Sequence, residues 1–231
     1  MTKKNYSISI ILPILNEINS LKKTLSILKK IKVNKEYIVI FSNNLTKKVV
    51  KDKIFLLKNN YKNLRYYSQI KPFVGGAIDL GIKKSTNKHI AIMASDLETN
   101  PYELKNMINL SSNNLDHIIS ADRWISNNSF NNYGLIKFLA NFFFQKLLKI
   151  FFNYKILDFT FAYRIYPKKA LKGHIINELR HGFALELLLV PMKKGYKIIT
   201  TPAKWKKRIE GYSSITIKSY MSYLKVFWRN L

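Results

Sequence analysis

The sequence of 231 residues contains no cysteine and only four histidines. The lack of cysteine excludes a disulfide framework, a thiolate nucleophile and a cysteine-ligated metal. The histidines show neither an HExxH spacing nor another paired metal spacing, so we do not expect a zinc enzyme.

Acidic residues are also scarce. Thirteen Asp and Glu stand against forty Lys and Arg, which gives a formal net charge of +27. Such a charge indicates an anionic partner: a nucleic acid, a phospholipid surface or a phosphorylated substrate. We expect no nucleic-acid partner, because the lysines are scattered along the chain and no recognition motif is present. A nucleic-acid-binding module remains the alternative from a different functional class.

Long uncharged apolar runs are missing as well, so the sequence predicts no transmembrane span. Ile8–Leu15 follows two lysines, as the apolar part of a signal peptide does. However, Pro13 interrupts this run and no small-residue cleavage site follows it. We therefore expect a buried first strand here rather than a signal.

Apolar β-prone runs alternate with helical patterns through the first half of the chain. The predicted strands are Ser7–Pro13, Tyr37–Phe41, Ile54–Leu57, Tyr66–Gln69, His89–Ala94 and His117–Ala121. The predicted helices between them include Glu17–Lys30 and Gly75–Lys84. This alternation predicts an open, largely parallel α/β sheet, which binds ligands beyond the carboxyl ends of its strands. Loops 13–17, 42–46 and 95–100 have that position.

The loop after the strand at His89–Ala94 carries two carboxylates, Asp96 and Glu98. Two carboxylates at this spacing suit a hard divalent cation that is shared with phosphate oxygens. The same residues could instead cap the helix that follows. The spacing alone leaves both interpretations open.

The second half of the chain contains two aromatic, lysine-bearing segments, Leu135–Phe152 and Tyr220–Trp228. In the first, polar residues recur every four positions along a helix that is otherwise rich in Phe and Leu. Such a helix belongs either to a core or to a bilayer interface, and the sequence favours neither.

Four motifs occur in an order that resembles a known family: ISIILPILNE at 8–17, the glycine segment 75–81, IAIMASDLETNP at 90–101 and KRIEGYSS at 207–214. Together they resemble the inverting family 2 glycosyltransferases, most of all the dolichol-phosphate or polyprenyl-phosphate mannosyl- and glucosyltransferases. The resemblance implies a GT-A (Rossmann-like) α/β fold, a mainly parallel sheet with helices on both faces, plus C-terminal amphipathic membrane-facing helices. Residues 1–231 would form one domain, with a nucleotide-sugar half at 1–122 and an acceptor half at 123–231.

The resemblance also implies roles for individual residues on the donor side. The residues implied to bind the nucleotide sugar are Pro13, Asn16, Glu17, Ser42, Asn43, Gly76 and Asp96. Asp96 matches the second Asp of the family's Asp-x-Asp motif, and Glu98 stands where a third ligand is often found. These two would hold Mg²⁺ or Mn²⁺, although Ala94 replaces the first Asp and weakens the motif.

On the acceptor side, the motif positions imply that Arg123, Arg164 and Arg208 handle phosphate. Glu186 matches an acidic position of the family and completes the implied catalytic set with Asp96. Leu187 follows it where hydroxyl-glycosylating members carry an Asp base, and a phosphate acceptor, already anionic, needs no base.

The implied reaction moves a sugar from a nucleotide-diphosphate donor to polyprenyl phosphate, in a peripheral enzyme at the cytoplasmic face of an anionic membrane. Two alternatives within the family remain open. One is transfer to a sugar hydroxyl of a glycan in surface-polysaccharide or lipopolysaccharide synthesis. The other is a degenerate, non-catalytic transferase.

Overall fold

A computed structural model describes residues 6–126, 129–130, 133–153, 158–211 and 216–231. Its strands are β1 (Ser7–Ile14), β2 (Asn34–Ser42), β3 (Leu64–Gln69), β4 (His89–Ile92), β5 (Ile118–Asp122), β6 (Arg164–Pro167) and β7 (Ile198–Pro202). Its α-helices are α1 (Ile18–Lys29), α2 (Lys48–Asn60), α3 (Phe73–Lys84), α4 (Leu104–Asn113), α5 (Leu135–Phe152), α6 (Phe183–Lys193) and α7 (Ile217–Asn230).

The described strands form one sheet in the order β3-β2-β1-β4-β6-β5-β7. β1 pairs in parallel with β2 and β4, β2 with β3, and β5 with β7. Only β6, among these strands, runs antiparallel to its two neighbours. The prediction of a mainly parallel α/β sheet is confirmed.

Side chains of β1 contribute to the apolar core on each face of the sheet, because successive residues of a strand point to opposite faces. Ile10 and Leu12 pack with α1, α2 and α4, whereas Ile11 packs with α3 and α6. Both faces of the sheet are therefore covered by helices, as predicted. This arrangement explains why the strand reads as a continuous apolar run.

One predicted strand is wrong. Ile54–Leu57 lies inside α2. Val50, Ile54 and Leu57 are the buried residues of this helix, and their spacing of four and three places them on one helical face. A short apolar run cannot by itself distinguish a strand from such a face.

Helix α5 begins and ends where the sequence predicted, but most of its residues are not buried in a core. Its buried residues are Gln145 and Leu148, while Ile136, Phe143 and Ile150 are exposed. Leu148 joins a third apolar cluster with α6 and α7. None of the helices in the described ranges is long and apolar enough to cross a membrane.

Candidate active site

A cavity of about 1250 Å³ opens at the carboxyl ends of β1, β2, β3 and β4 and continues between α5 and α7. The three loops singled out in the sequence all contribute to its wall. The predicted site residues that line it are Pro13, Glu17, Ser42, Asn43, Asp96, Glu98, Arg123 and Arg208. Those outside its lining are Asn16, Gly76, Arg164 and Glu186.

Asn16 and Glu17 shape the loops after β1 and β2, at one end of the cavity. Oε2 of Glu17 accepts hydrogen bonds from the backbone N–H groups of Leu15 and Asn16, both at 2.9 Å. The Asn16 side chain accepts from the N–H of Lys47 at 3.0 Å and donates to the carbonyl of Leu45 at 3.4 Å. Asn16 therefore joins the loop after β1 to the loop after β2 instead of lining the cavity.

Gly76 also acts through packing. A Cβ added to it would lie 2.4 Å from the carbonyl oxygen of Lys71, which only glycine avoids. The glycine lets the start of α3 approach the preceding loop, whose residues Lys71 and Pro72 line the cavity.

The loop after β4 presents Asp96 and Glu98 to the cavity. Oδ1 of Asp96 accepts from the N–H of Glu98 at 3.0 Å, and the intervening Leu97 has a positive φ of 68°. A left-handed Leu costs about 1–3 kcal/mol, so packing must enforce this turn. Burial, and then the neighbouring charge of Glu98, raise the pKa of Asp96 to about 6.

Arg208, from the C-terminal part of the chain, contacts both of these carboxylates. Its Nη2 lies 3.3 Å from Oδ2 of Asp96, and its Nε lies 2.9 Å from Oε1 of Glu98. Residues 212–214 of the same motif, including Ser214, lie outside the described residues.

Asp96 and Glu98 are the candidate ligands for a divalent cation. Within the described ranges, no group of three or more His, Cys, Asp or Glu side chains could hold a metal. Yet one oxygen of Asp96 and one of Glu98 already converge on a common cation, the Arg208 guanidinium. Paired carboxylate oxygens are hard donors, so they fit Mg²⁺ or Mn²⁺ completed by phosphate oxygens and water.

Arg123 lies in the cavity wall, but its charge is already compensated. It pairs with Asp158 and packs on the ring of Phe161, with its Cζ 4.6 Å from the ring centroid. Burial raises the pKa of the Asp158 carboxyl, but the charge and hydrogen bonds of Arg123 outweigh this and hold it below its usual value. The pair supports the wall rather than presenting an open cation.

Arg164 and Glu186 do not line the cavity. Arg164 is fully buried and donates to the carbonyls of Ala184 at 2.6 Å and Phe159 at 2.8 Å. Glu186 accepts from the backbone N–H groups of Asn177 at 2.9 Å and Glu178 at 2.7 Å. Each satisfies backbone groups of an irregular segment, which is a structural role.

The sequence did not reveal the cavity residues contributed by α5, α7 and the segment before α6. They are Lys137, Asn141 and Phe144 on α5, Tyr220, Tyr223 and Leu224 on α7, and His181 just before α6. The polar recurrence along α5 was the available signal. Gln145 of this series donates to Thr160 at 2.9 Å and to Asp158 at 3.2 Å, so part of the polar series faces inward.

A mainly parallel sheet with a cavity at the carboxyl ends of its strands, and with paired carboxylates in that cavity, is typical of an α/β enzyme that binds its ligand at this edge. The sequence model of glycosyl transferase family 2 matches residues 9–175, and the chain belongs to this family. It is a nucleotide-sugar glycosyltransferase, and its sheet and helices are consistent with the GT-A fold.

Solved structures share this fold at low identity. Glucosyl-3-phosphoglycerate synthase from Mycobacterium tuberculosis, in complex with Mn²⁺, UDP and phosphoglyceric acid, has a TM-score of 0.71 at 12% identity, over 97% of this chain and 78% of that one. A mycobacterial protein has a TM-score of 0.71 at 16% identity, over 97% and 74%. The same synthase with Mn²⁺, UDP-glucose and glycerol 3-phosphate has a TM-score of 0.69 at 12% identity, over 97% and 80%. The Mn²⁺ bound together with UDP or UDP-glucose in the two synthase structures is consistent with use of a divalent cation.

Proposed function

We propose that the chain transfers a sugar from a nucleotide-diphosphate donor to a polyprenyl phosphate, with inversion at the anomeric carbon. Family membership together with the cavity at the carboxyl edge of the sheet carries the donor part of this proposal. Glu17 and the turn at Ser42 and Asn43 hold the nucleotide. The neutral amide and hydroxyl groups of that turn can hydrogen-bond a base or a ribose.

Asp96 and Glu98 would hold Mg²⁺ or Mn²⁺ against the diphosphate of the donor. The ion, when bound, supplies positive charge that stabilises the departing nucleotide diphosphate. The residues of this chain orient the donor: the fixed turn at Leu97 keeps both carboxylates at the same end of the cavity.

The acceptor phosphate would meet basic side chains that line the same cavity. Arg208 and Lys137 are among them, whereas Arg123 and Arg164 are engaged in buried contacts. A phosphate monoester attacks without loss of a proton, because it is already anionic near neutral pH. Glu186 is bound to backbone N–H groups and Leu187 follows it, which also favours an acceptor that needs no base.

The lipid part of the proposal depends on the outer faces of α5 and α7. Ile136 is 84% exposed and Phe143 is 64% exposed, on a helix that also carries exposed lysines. On α7, Ile217 and Trp228 are 81% and 70% exposed. Large apolar side chains interleaved with basic ones suit the interface of an anionic bilayer. We therefore place the enzyme peripherally on the cytoplasmic face of a membrane.

Donor and acceptor profiling tests this function. The purified chain with Mn²⁺ would be offered UDP- and GDP-sugars together with a short-chain polyprenyl phosphate, and products would be identified by mass spectrometry. We expect a glycosyl phospholipid, and none with Asp96→Asn. Transfer only to sugar hydroxyls of a glycan would contradict the lipid acceptor and support the alternative in surface-glycan synthesis.

A further inference from the structure

The guanidinium of Arg208 lies beside the two carboxylates that would bind the divalent cation. It contacts both carboxylates assigned to the metal, at 3.3 Å from Asp96 and 2.9 Å from Glu98. The side chains of Arg208, Asp96 and Glu98 are only 18%, 11% and 23% exposed. The convergence point of the two carboxylates is thus occupied by a positive charge of the protein itself.

Backbone contacts hold the Arg208 segment along the loop after β4. The N–H of Lys206 donates to the carbonyl of Glu98 at 3.2 Å, and Trp205 forms an antiparallel bridge with Thr99. The N–H of Lys204 donates to the Glu103 carboxylate at 2.9 Å. These contacts fix the chain on the N-terminal side of Arg208.

The chain on the C-terminal side of Arg208 is fixed as well. Glu210 accepts from the side chain of Asn19 at 2.6 Å and from the N–H of Ser20 at 2.7 Å, both in the first turn of α1. Arg208 is therefore held between two anchored points. Its position belongs to the fold and is not a passing surface contact.

We propose that Arg208 is the resident counter-ion of the donor metal site, and that a divalent cation enters only by displacing its guanidinium. The proposal rests on the function above, which assigns the cation to Asp96 and Glu98. A divalent ion at about 2.0–2.2 Å from these oxygens would lie in contact with the guanidinium, and two cations repel at that distance.

The exchange has a consequence for the order of binding. Before the donor arrives, Arg208 balances two carboxylates that would otherwise repel each other within one loop. After the cation has entered, the guanidinium is released from them, and its planar fork suits a phosphate. Loading of the donor and its metal thus prepares Arg208 for the acceptor phosphate.

Binding of Mn²⁺ alone, without nucleotide, tests the exchange. Free Mn²⁺ would be followed by electron paramagnetic resonance during titration of the wild type, Arg208→Ala and Lys207→Ala. Lys207 is the matched control, because it is the neighbouring basic residue and lines the same cavity. We expect Arg208→Ala to bind Mn²⁺ at least about tenfold more tightly, the scale of a lost charged hydrogen bond. The control should resemble the wild type.

Adding Asp96→Asn to Arg208→Ala should abolish the gain, which assigns the tighter site to this loop. Thermal melts would show that each variant folds, and Arg208→Gln, with the same expectation, replaces Arg208→Ala if the latter does not. Equal Mn²⁺ affinity of wild type and Arg208 variant would overturn the proposal. An equal gain in Lys207→Ala would overturn it too, because the effect would then come from the general charge of the chain. Failure of the proposed function would instead appear as no sugar transfer by the wild type, which this nucleotide-free titration does not measure.

Discussion

The guanidinium of Arg123 donates two parallel hydrogen bonds to the carboxylate of Asp158, from Nε to Oδ2 at 2.6 Å and from Nη2 to Oδ1 at 3.0 Å. Both side chains are buried. This fork geometry gives two charge-assisted hydrogen bonds at once. The pair joins the end of β5 to the segment before β6, and so fixes one wall of the cavity.

Asp158→Ala should therefore destabilise the protein strongly. It leaves the buried Arg123 charge without its partner, which typically costs about 3–5 kcal/mol of unfolding free energy. Urea denaturation would measure the loss. The control is Asp116→Ala, because Asp116 pairs with Lys169 at the surface and its loss should change the unfolding free energy little.

The complementary variant, Arg123→Ala, separates a structural role from an acceptor role. We expect its main effect on the unfolding free energy. Wild-type stability together with a raised KM for the acceptor alone would show that Arg123 binds phosphate, as its motif position implied.

The sequence predicted most of the first half of the fold, because its core strands are apolar and alternate with helices. Local sequence patterns were sufficient to predict β1, β2 and β4 and the loops after them. The roles of Arg164 and Glu186 could not be predicted in this way. Each contacts backbone groups of irregular segments, such as the carbonyl of Phe159 for Arg164. A motif position records the residue type but not which backbone groups surround it.

The cavity between α5 and α7 was harder to predict for a related reason. The sequence shows the polar series on α5, but it does not show which way these side chains face. Gln145 faces the buried Asp158 and the half-buried Thr160, while Phe143 faces outward. This orientation depends on packing against distant segments. The pairing of Arg208 with Asp96, 112 residues earlier in the sequence, was hidden for the same reason.

Asp96→Asn should lower turnover by at least about a hundredfold, the scale for removing a key electrostatic group. Asparagine retains an oxygen that can accept from the N–H of Glu98 but lacks the negative charge that attracts the cation. Steady-state rates at limiting Mn²⁺ would measure the effect. Asp52→Asn, an exposed change on α2, is the control. Equal rates of Asp96→Asn and wild type would remove Asp96 from the metal site.

Ala94→Asp tests the weakened metal motif from the other direction. Ala94 lines the cavity beside Asp96, at the position where the family carries its first Asp. A third carboxylate should raise the apparent affinity for Mn²⁺ in the presence of donor. An unchanged Mn²⁺ requirement in the same steady-state assay would mean that residue 94 does not face the ion.

Stability should fall in mild acid, in part because of His89. Burial lowers the pKa of this imidazole below 6.5, although the carbonyl of Leu115, 3.0 Å from Nε2, acts in the opposite direction. Its ring stacks on Tyr6, and Lys88 and Asp116 are the charged groups near it. Below a pH of about 6.5 the unfolded chain takes up a proton that the folded chain resists, so the unfolding free energy decreases as the pH falls.

Urea denaturation of wild type and His89→Gln between about pH 7.5 and pH 5 would measure this contribution. Glutamine does not titrate in that range. The unfolding free energy of the variant should therefore decline less steeply with falling pH than that of the wild type. Parallel declines in the two proteins would show that His89 contributes nothing to the pH dependence.

Membrane docking can be tested with two sets of changes on α5 that differ in the direction of the side chains. Ile136 and Phe143 are exposed, whereas Phe144 packs against the apolar cluster of α5, α6 and α7 and makes an edge contact with Tyr223 at 6.0 Å between ring centroids. The first two are available to a bilayer, and the third supports the fold.

Ile136→Ser with Phe143→Ser should weaken binding to anionic liposomes in a sedimentation assay while leaving the melting temperature nearly unchanged. The reason is that the two side chains lose apolar contact with the membrane but make little contact within the protein. Phe144→Ser should instead lower the melting temperature, because it removes a ring from a packed cluster. If the wild type does not bind anionic liposomes, or if the double variant unfolds as readily as Phe144→Ser, the outer face of α5 is not a membrane surface. The polyprenyl-phosphate acceptor would then lose its independent support, since its phosphate must lie at the depth of the lipid headgroups.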